Sequence, residues 1–269
     1  MVARHFGAMP PRELKVRLQR LPGCVRLRAA EEREVVRARR GLRARPSAST
    51  VTVIASIGRP ELLDAVRSAL AQTVTDHLVL VIADGVAIPP LPHDPRLVIW
   101  RLPVNSGSPS LARNVGIRVT RSDYVAFLDD DNFWEPDHLE RLLPALEGRV
   151  AFAYGGLRWV NDSNDSLGEL SVAFDRRHLR EENFIDTSTL VVRRTRRARF
   201  RAIPRRRGDA TFEDWELAYR LSRGKRAVHV PIATANVRVH EGSKFSLPRP
   251  DQVRHEPPIP PSLPAAGAR

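Results

Sequence analysis

The stretch Tyr124-Val-Ala-Phe-Leu-Asp-Asp-Asp-Asn-Phe-Trp-Glu-Pro-Asp-His-Leu139 decides the class of fold. Its first five residues predict a buried strand, and its end predicts a helix that begins at Pro136 and keeps its leucines on one face. Apolar strands and amphipathic helices alternate in the same way upstream. The predicted strands are Val51–Ser56, Leu78–Ala83 and Leu97–Leu102, and the predicted helices are Glu61–Ala71 and one that begins near Ser110. This alternation predicts an α/β fold with a mostly parallel sheet and helices on both faces.

The charge of the chain is concentrated in two segments. The 269 residues are 42% hydrophobic, which is enough for a substantial core, and the net charge is +13. Residues 1–46 and residues 193–207 each carry +9, which leaves −5 for the rest of the chain. Such a distribution argues against a uniformly basic nucleic-acid-binding protein. Phe6 is the only aromatic residue of the first segment, so platforms for base stacking are missing there, and we expect no nucleic-acid partner.

Three parts of the chain differ in composition. Residues 1–48 are Arg-rich, and few of their apolar residues recur at helical spacing, which predicts a basic arm that is disordered or partly helical. Residues 247–269 form a Pro-rich tail that favours an extended chain. The folded domain is therefore expected at residues 49–246.

Cysteine usage and hydropathy limit the location of the protein. Cys24 is the single cysteine, which excludes an internal disulfide, and no Cys/His spacing of a structural zinc site occurs. No apolar run approaches the roughly 20 residues of a membrane-spanning helix, and the N-terminus lacks the apolar core of a signal peptide. We expect a cytoplasmic protein whose basic segments are available for peripheral contact with a membrane.

Acidic residues follow two of the predicted strands. Asp84 comes directly after the second strand, and Asp129–Asp131 come directly after the fourth. In sheets of this kind, ligands bind beyond the carboxyl ends of the strands. Side chains alternate along a strand, so Asp129 and Asp131 are expected to share a face, which suits Mg²⁺ or Mn²⁺ together with phosphate oxygens and water. The alternative is that the acidic run forms a turn and a helix cap.

The segments around these acids resemble the family 2 glycosyltransferases, which have a GT-A fold with a Rossmann-like central sheet. The resemblance is strongest over roughly residues 50–147 and continues more weakly to about residue 245. The matching segments are Ser56-Ile-Gly-Arg-Pro60, Ser68-Ala-Leu-Ala-Gln-Thr73, Asn105-Ser-Gly-Ser-Pro-Ser-Leu-Ala-Arg-Asn-Val-Gly-Ile117, Leu128–Leu139, Asp186-Thr-Ser-Thr-Leu-Val-Val-Arg193 and Phe212-Glu-Asp-Trp-Glu-Leu217.

The resemblance implies a nucleotide-diphosphate-sugar donor, with a UDP-sugar favoured, and Mg²⁺ or Mn²⁺ as cofactor. It assigns contact with the donor base to Asp84, contact with the ribose to Asp130 and the main metal ligation to Asp131. Asp129 is a further donor-site residue and a second metal ligand. The other residues expected to bind the nucleotide sugar are Ser56, Arg59, Arg113, Asn114 and Lys244.

Two of these assignments have alternatives. Arg113 is expected to contact a phosphate, or else to lie on a solvated helix face. His240 is expected to be a third metal ligand, or else a hydrogen-bonded surface histidine. Lys244 is expected to reach the diphosphate.

Transfer of a sugar also requires removal of a proton from the acceptor hydroxyl. The resemblance assigns this role to Asp214, as the general base of an inverting, single-displacement reaction. Its pKa would have to rise from about 4 toward neutrality, so we expect a partly desolvated carboxylate close to Trp215. The alternative is an ordinary acid at a helix N-terminus, and Asp209 is then the second candidate for the base.

Two features leave the function open at this stage. The basic run Arg193–Arg207 is expected to reach over the site toward an anionic acceptor or a membrane surface, or to be a solvated, flexible run of charge. The acceptor itself is a small molecule, a glycan or a lipid-linked compound. The competing functions are a sugar-phosphate nucleotidyltransferase and a non-catalytic module that binds polyanions or membranes through a degenerate GT-A domain.

Overall fold

The computed structural model describes residues 11–42, 46–201 and 213–239. Asp209, His240, Lys244 and the predicted tail at 247–269 lie outside these ranges. The strands are β1 Thr50–Ser56, β2 His77–Ala83, β3 Leu97–Arg101, β4 Tyr124–Asp129, β5 Phe133–Trp134, β6 Val150–Val160, β7 Ser166–Leu170, β8 Leu190–Arg193 and β9 Arg226–Arg238. The helices are α1 Pro11–Gly41, α2 Leu62–Leu70, α3 Pro109–Val119, α4 His138–Leu142, α5 Arg176–Glu181 and α6 Glu213–Leu221.

The described strands form one mixed sheet in the order β3-β2-β1-β4-β8-β6-β9-β5, with β7 paired to β6. The half that contains β3, β2, β1 and β4 is parallel throughout. In this half β1 is buried on both faces, with Val51 and Val53 in one apolar cluster and Ile54 in the other. Short apolar runs of this kind are typical of strands covered on two sides.

The register of the parallel strands brings the predicted site residues to one edge. Ser56 pairs with Ala83, and Ala55 pairs with Asp129, so β1, β2 and β4 end side by side. Strand β8 runs antiparallel to β4, and the 3-10 turn Thr187–Thr189 before it therefore lies at the same edge. We call this edge, where the parallel strands end, the acidic edge.

Helices cover both faces of the sheet, as predicted. Leu62 of α2 and Leu139 of α4 pack in one cluster, whereas Leu111 of α3 and Leu217 of α6 pack in the other. The helix expected to begin at Pro136 is shorter than its leucine pattern suggested. It ends at Leu142 and continues as a 3-10 turn over Leu143–Leu146, because a proline disfavours the α conformation of the residue before it and cannot donate a backbone hydrogen bond.

Part of the N-terminal segment, which was predicted to be disordered or partly helical, forms helix α1 and packs against the domain. Helix α1 contacts α3, and Val35 and Ala38 join the core beside it. Glu31 is buried on the same helix and pairs with Arg118 and Arg199. The apolar periodicity of α1 is weak because ion pairs make up much of its contact with the domain. None of the helices within the described ranges is both long and apolar enough to cross a membrane.

The first part of the basic run is also packed. Ala198 and Phe200 are buried, and the ring of Phe200 contacts that of Phe127 with 4.9 Å between centroids. Arg193 donates to the carbonyl oxygens of Leu146 and Val150. The described part of the predicted run 193–207 is therefore not solvated throughout, since Ala198 and Phe200 belong to the core, whereas Arg194, Arg196 and Arg197 are exposed.

Gly85 follows Asp84 and has a left-handed backbone, with φ at +65°. A Cβ atom at this position would lie 2.0 Å from the backbone nitrogen of Asn105. We expect Gly85→Ala to lower the free energy of unfolding by about 1–2 kcal/mol for the left-handed conformation and by a further ~1–3 kcal/mol for the collision. Urea unfolding of the variant measures both costs together.

Gly148→Ala is the matched control for this prediction. Gly148 has φ at +64°, and a Cβ atom added to it would have no neighbouring atom within 4 Å. It should carry only the conformational cost. Equal losses in the two variants would show that the loop at Asn105 does not constrain the chain at Gly85.

Candidate active site

Asp84 is held in place by the loop that follows β3. Its carboxylate is buried, with 2% of the residue exposed. Oδ1 accepts from the backbone nitrogen of Ser106 at 2.9 Å, and Oδ2 accepts from the Ser106 hydroxyl at 3.0 Å. Burial raises the pKa of Asp84 despite these two hydrogen bonds. Ser106 was not predicted as a site residue, although it belongs to the Asn105–Ile117 segment that carries the resemblance.

Asp130 is the most buried acid of the run that follows β4, and it organises the end of β1. It accepts from the backbone nitrogen of Ile57 at 2.8 Å and from Arg59 at 3.3 Å. Gly58 donates its backbone N–H to the Ser56 hydroxyl at 3.0 Å. Burial raises the pKa of Asp130 above its ordinary value. Two of the predicted donor-site residues, Arg59 and Asp130, are therefore in direct contact.

Asp131 lies beside Asp130 and shares its cation. Arg59 forms an ion pair with both carboxylates. Burial, followed by the charge of Asp129, raises the pKa of Asp131 to about 6. Strand alternation predicted that Asp129 and Asp131 share a face. However, β4 ends at Asp129 and the chain turns there, so the alternation does not continue to Asp131. The turn brings Asp130 and Asp131 to one arginine, whereas Asp129 pairs with another.

Arg113 is the cation that pairs with Asp129. It is 5% exposed, and its Nη2 lies 2.5 Å from Asp129 Oδ1. On its other side, Nη1 lies 3.4 Å from Glu213 Oε1, the first residue of α6. Its guanidinium also lies over the ring of Phe200, 5.2 Å from the centroid. The alternative prediction, that Arg113 lies on a solvated helix face, is thus wrong. Arg113 instead joins the acidic edge to α6.

Asn114, which was expected to bind the nucleotide sugar, is bonded to α1 and the Phe200 segment. Its Nδ2 donates to Glu31 Oε2 at 2.9 Å and to the carbonyl oxygen of Phe200 at 2.8 Å. Its Oδ1 accepts from the backbone nitrogen of Phe200. These three hydrogen bonds use both donors and one of the two acceptor sites of the amide, so Asn114 fixes α1 and the Phe200 segment onto α3.

Asp214 lies on the first turn of α6 and is 7% exposed. Its Oδ1 accepts from the backbone nitrogen of Trp215 at 2.7 Å and from Asn183 Nδ2 at 3.4 Å. Burial, followed by the charges of Asp186 and Glu213, raises its pKa well above the ordinary range. The desolvated carboxylate expected next to Trp215 is therefore present at this position.

Asp186 is a site residue that sequence reasoning missed. It caps the 3-10 turn before β8 and accepts from the backbone nitrogen of Ser188 at 2.7 Å. Burial, followed by the charge of Asp129, raises its pKa to about 7. The charge of Asp186 also raises the pKa of Asp214. Asp186 therefore interacts electrostatically with both Asp129 and Asp214. The available signal was an Asp-x-Ser cap directly before an apolar strand.

Oxygen atoms dominate the acidic edge, and this donor set suits a hard divalent cation. No group of three or more His, Cys, Asp or Glu side chains within the described ranges has the geometry of a metal site. Mg²⁺ commonly uses only one or two carboxylates and takes its other ligands from substrate phosphates and water. Asp131, whose side chain is 16% exposed and pairs with Arg59, offers one such carboxylate.

A family model described as Glycosyl transferase family 2 matches residues 50–207. The matched region is more than half of the chain and contains the strand ends that carry Ser56, Asp84, Asp129 and Asp186. The chain belongs to glycosyltransferase family 2. The family resemblance inferred from the sequence is therefore confirmed.

Curated relatives match parts of this glycosyltransferase. The succinoglycan biosynthesis protein ExoW of Rhizobium meliloti is 41% identical over 85 residues, which are 28% of this chain and 26% of ExoW. An uncharacterized glycosyltransferase of Haemophilus influenzae is 30% identical over 104 residues, which are 38% of this chain and 41% of the relative. The matched regions thus span less than half of these relatives.

Solved structures of Staphylococcus aureus TarS share the fold. TarS 1–349 in complex with UDP-GlcNAc has a TM-score of 0.55 and 15% identity, covering 74% of this chain and 62% of that chain. The same part of TarS in complex with UDP has a TM-score of 0.53 and 14% identity, covering 71% of this chain and 60% of that chain. The expected GT-A fold is confirmed by this likeness.

The ion pairs of Arg113 lead to a prediction about stability. Arg113→Met would leave Asp129 and Glu213 without their buried cation, and breaking a buried pair in this way costs about 3–5 kcal/mol. Arg96→Met is the control, since the side chain of Arg96 is 36% exposed in its pair with Asp94 and an exposed pair contributes at most about 1 kcal/mol. Urea unfolding at neutral pH measures both. Similar losses in the two variants would contradict the role given to Arg113.

Asp186 leads to a prediction about pH. Its pKa of about 7 in the folded state exceeds the ordinary value of about 4, so the folded state binds more protons between these values. The contribution of Asp186 to stability is therefore present at low pH and is lost as the pH rises through 7. The free energy of unfolding of the wild type should therefore fall between pH ~5 and pH ~7.5. In Asp186→Asn we expect this fall to be smaller by about 2 kcal/mol, measured by urea unfolding in EDTA.

Asp175→Asn is the control for the pH experiment. Asp175 caps α5 and accepts from the backbone nitrogen two residues later, as Asp186 does before β8, but it is exposed. This variant should keep the wild-type pH profile. A wild-type profile in Asp186→Asn as well would mean that Asp186 does not titrate in this range.

Proposed function

We propose that this family 2 glycosyltransferase moves a sugar from a nucleotide-diphosphate sugar to an acceptor hydroxyl, with inversion, by a single displacement. The observation that carries the proposal is the pair of ion pairs made by Arg113, which joins two sets of acids through Asp129 and Glu213. One set follows the parallel strands, and the other contains Asp214, whose pKa is raised by burial.

The donor is proposed to bind along the ends of β1, β2 and β4. Asp84 would accept from the base and Asp130 from the ribose, in the order that the resemblance assigns. A UDP-sugar is favoured, and the complexes of TarS with UDP-GlcNAc and with UDP support this choice. The acceptor is proposed to be a small molecule, a glycan or a lipid-linked compound.

A divalent cation, Mg²⁺ or Mn²⁺, is proposed to be held mainly by Asp131, with Asp129 beside it. When bound, the ion would neutralise charge on the departing nucleotide diphosphate as a Lewis acid. His240 remains a proposed further ligand, because the chain reaches Asp131 only two residues earlier, where Arg238 Nη1 donates to the Asp131 carbonyl oxygen at 3.2 Å. Lys244 remains a proposed diphosphate contact.

Asp214 is proposed to accept the proton of the acceptor hydroxyl. A carboxylate with an ordinary pKa of about 4 is a weak base, and burial brings the pKa closer to the working pH. Both hydrogen bonds that Asp214 accepts from described residues reach Oδ1, which leaves Oδ2 for the hydroxyl. Asp209 stays the second candidate for this role.

The two competing functions have less support. A sugar-phosphate nucleotidyltransferase would need a Gly-rich loop with Arg and Lys after its first strand, whereas β1 ends in Ser56-Ile-Gly-Arg. A degenerate, non-catalytic domain would have no reason to keep a buried carboxylate such as Asp214, because burial of an acid costs free energy.

Two variants test the proposal. With UDP-GlcNAc, other UDP-, GDP- and dTDP-sugars and Mn²⁺, we expect donor-dependent thermal stabilisation of the wild type that is lost in Asp131→Asn. Asp214→Asn should keep this stabilisation and lose about 10²–10⁴-fold in the rate of transfer. Melting temperature measures the first effect, and nucleotide release measures the second.

Asp137→Asn is the control, because Asp137 is an acid at the start of α4 whose side chain is 35% exposed. It should behave as the wild type in both measurements. Donor-dependent stabilisation that persists in Asp131→Asn would contradict the proposed metal and donor site. Full transfer by Asp214→Asn would move the role of base to Asp209.

A further inference from the structure

The edge of the sheet opposite the acids carries positive charge. Tyr124 at the start of β4 pairs with Arg193 at the end of β8, and Val150 pairs with Arg226, so β4, β6 and β9 begin at this edge. The loops around it expose eight cationic residues, which we call the basic edge. These residues are Arg121, Arg149, Arg194, Arg196, Arg197, Arg223, Lys225 and Arg226.

Few acids oppose these charges. The exposed acids in the described loops at this edge are Asp76, Asp123 and Glu147. The eight cations come from four separate loops, which are brought together by the sheet and not by a single charged segment of sequence. Their summed field is therefore fixed by the fold.

A small cleft opens between cations of the basic edge, with a volume of about 20 Å³. Arg197, Arg223, Lys225 and the hydroxyl-bearing Thr195 line it together with Ala151 and Leu221. Arg193 and Arg220 also line it. The carbonyl oxygens of Leu146 and Val150 hold Arg193, whereas Arg220 pairs with Glu216 and donates to the carbonyl oxygen of Arg197.

The remaining cations of the cleft are available to a ligand. The side chains of Arg197, Arg223 and Lys225 have no ion-pair partner among the residues that the structure describes. Guanidinium groups bind phosphate oxygens in a bidentate manner. The exposed cations Arg197, Arg223 and Lys225 therefore suit phosphate groups that lie at the protein surface, since the cleft itself has room for little more than a water molecule.

We propose that the basic edge binds the surface of an anionic membrane, with Arg197, Arg223 and Lys225 against phospholipid phosphates. A broad array of cations suits a charged surface, and its attraction to anionic lipids increases with each Lys or Arg. Nucleic acid is the less favoured partner, because the described loops around the basic edge expose no aromatic side chain for stacking.

Binding through the basic edge would orient the protein on the membrane, which has a consequence for the proposed reaction. This step alone rests on the proposed function. The six residues of β4 separate the two edges by about 20 Å, at ~3.3 Å per residue. The acidic edge would face away from the bilayer. An acceptor anchored in the membrane would then have to present its hydroxyl at about that height, as the outer end of a lipid-linked glycan does.

Sedimentation with vesicles tests the proposal on the full chain. The wild type should bind vesicles of equal parts phosphatidylglycerol and phosphatidylcholine, bind pure phosphatidylcholine poorly, and be released by salt as surface charges are screened. The triple variant R197E/R223E/K225E should lose at least about tenfold in binding to the anionic vesicles.

The matched control R67E/R177E/R180E reverses three exposed arginines on α2 and α5, and it should bind within about twofold of the wild type. Equal losses in both triple variants, or no loss in R197E/R223E/K225E, would overturn the proposal. Stabilisation by inorganic phosphate without vesicle binding would indicate a small-anion site, and duplex DNA binding without vesicle binding would indicate a nucleic-acid site. Either result contradicts the membrane assignment.

The melting temperature of R197E/R223E/K225E without ligand and its donor-dependent stabilisation are measured in parallel. A cooperative transition near that of the wild type shows that the variant is folded, and its donor-dependent stabilisation should match that of the wild type. Because vesicle binding needs no donor, a failure of the proposed transferase activity would leave this result unaffected, and a failure of membrane binding would leave the donor site unaffected.

Discussion

A single buried guanidinium, that of Arg113, holds the active-site region together. It pairs with Asp129 at the end of β4 and with Glu213 at the start of α6. Buried charges are costly unless they are paired, so the three groups stay together when the protein folds. The strand end that carries the donor-site acids is thereby fixed relative to the helix that carries Asp214. Without this contact, the two halves of the site would lose the ion pairs that join them directly.

One arginine does not balance the acids around it. Asp129, Asp186, Glu213 and Asp214 all act on the same buried region. Burial raises the pKa of Asp186 and Asp214, which means that the region favours binding of protons or cations. Arg59 plays the corresponding part for Asp130 and Asp131. The site is thus built to receive positive charge, in keeping with a metal-assisted transfer and a carboxylate base.

The fold separates charge along the direction of its strands. Acids follow the carboxyl ends of β2 and β4, whereas arginines and a lysine surround the amino ends of β4, β6 and β9. The net charge of +13 therefore says little about the active site. Loops at the two edges of a sheet are independent of each other, so one edge can bind a donor while the other binds a different partner.

The sequence by itself determined the alternation of strands and helices and the position of Asp84 and Asp129–Asp131 at strand ends. These features depend on local periodicity and on motifs that are continuous in the chain, whereas a desolvated Asp214 was expected only from the family resemblance. Tertiary structure alone decided the roles of Arg113, Asn114 and Asp186, and the packing of α1 on α3. Arg113 meets Glu213 100 residues away, and Asn114 meets Glu31 83 residues away. Partners so distant are chosen by the path of the chain through the fold, which no local pattern of residues specifies.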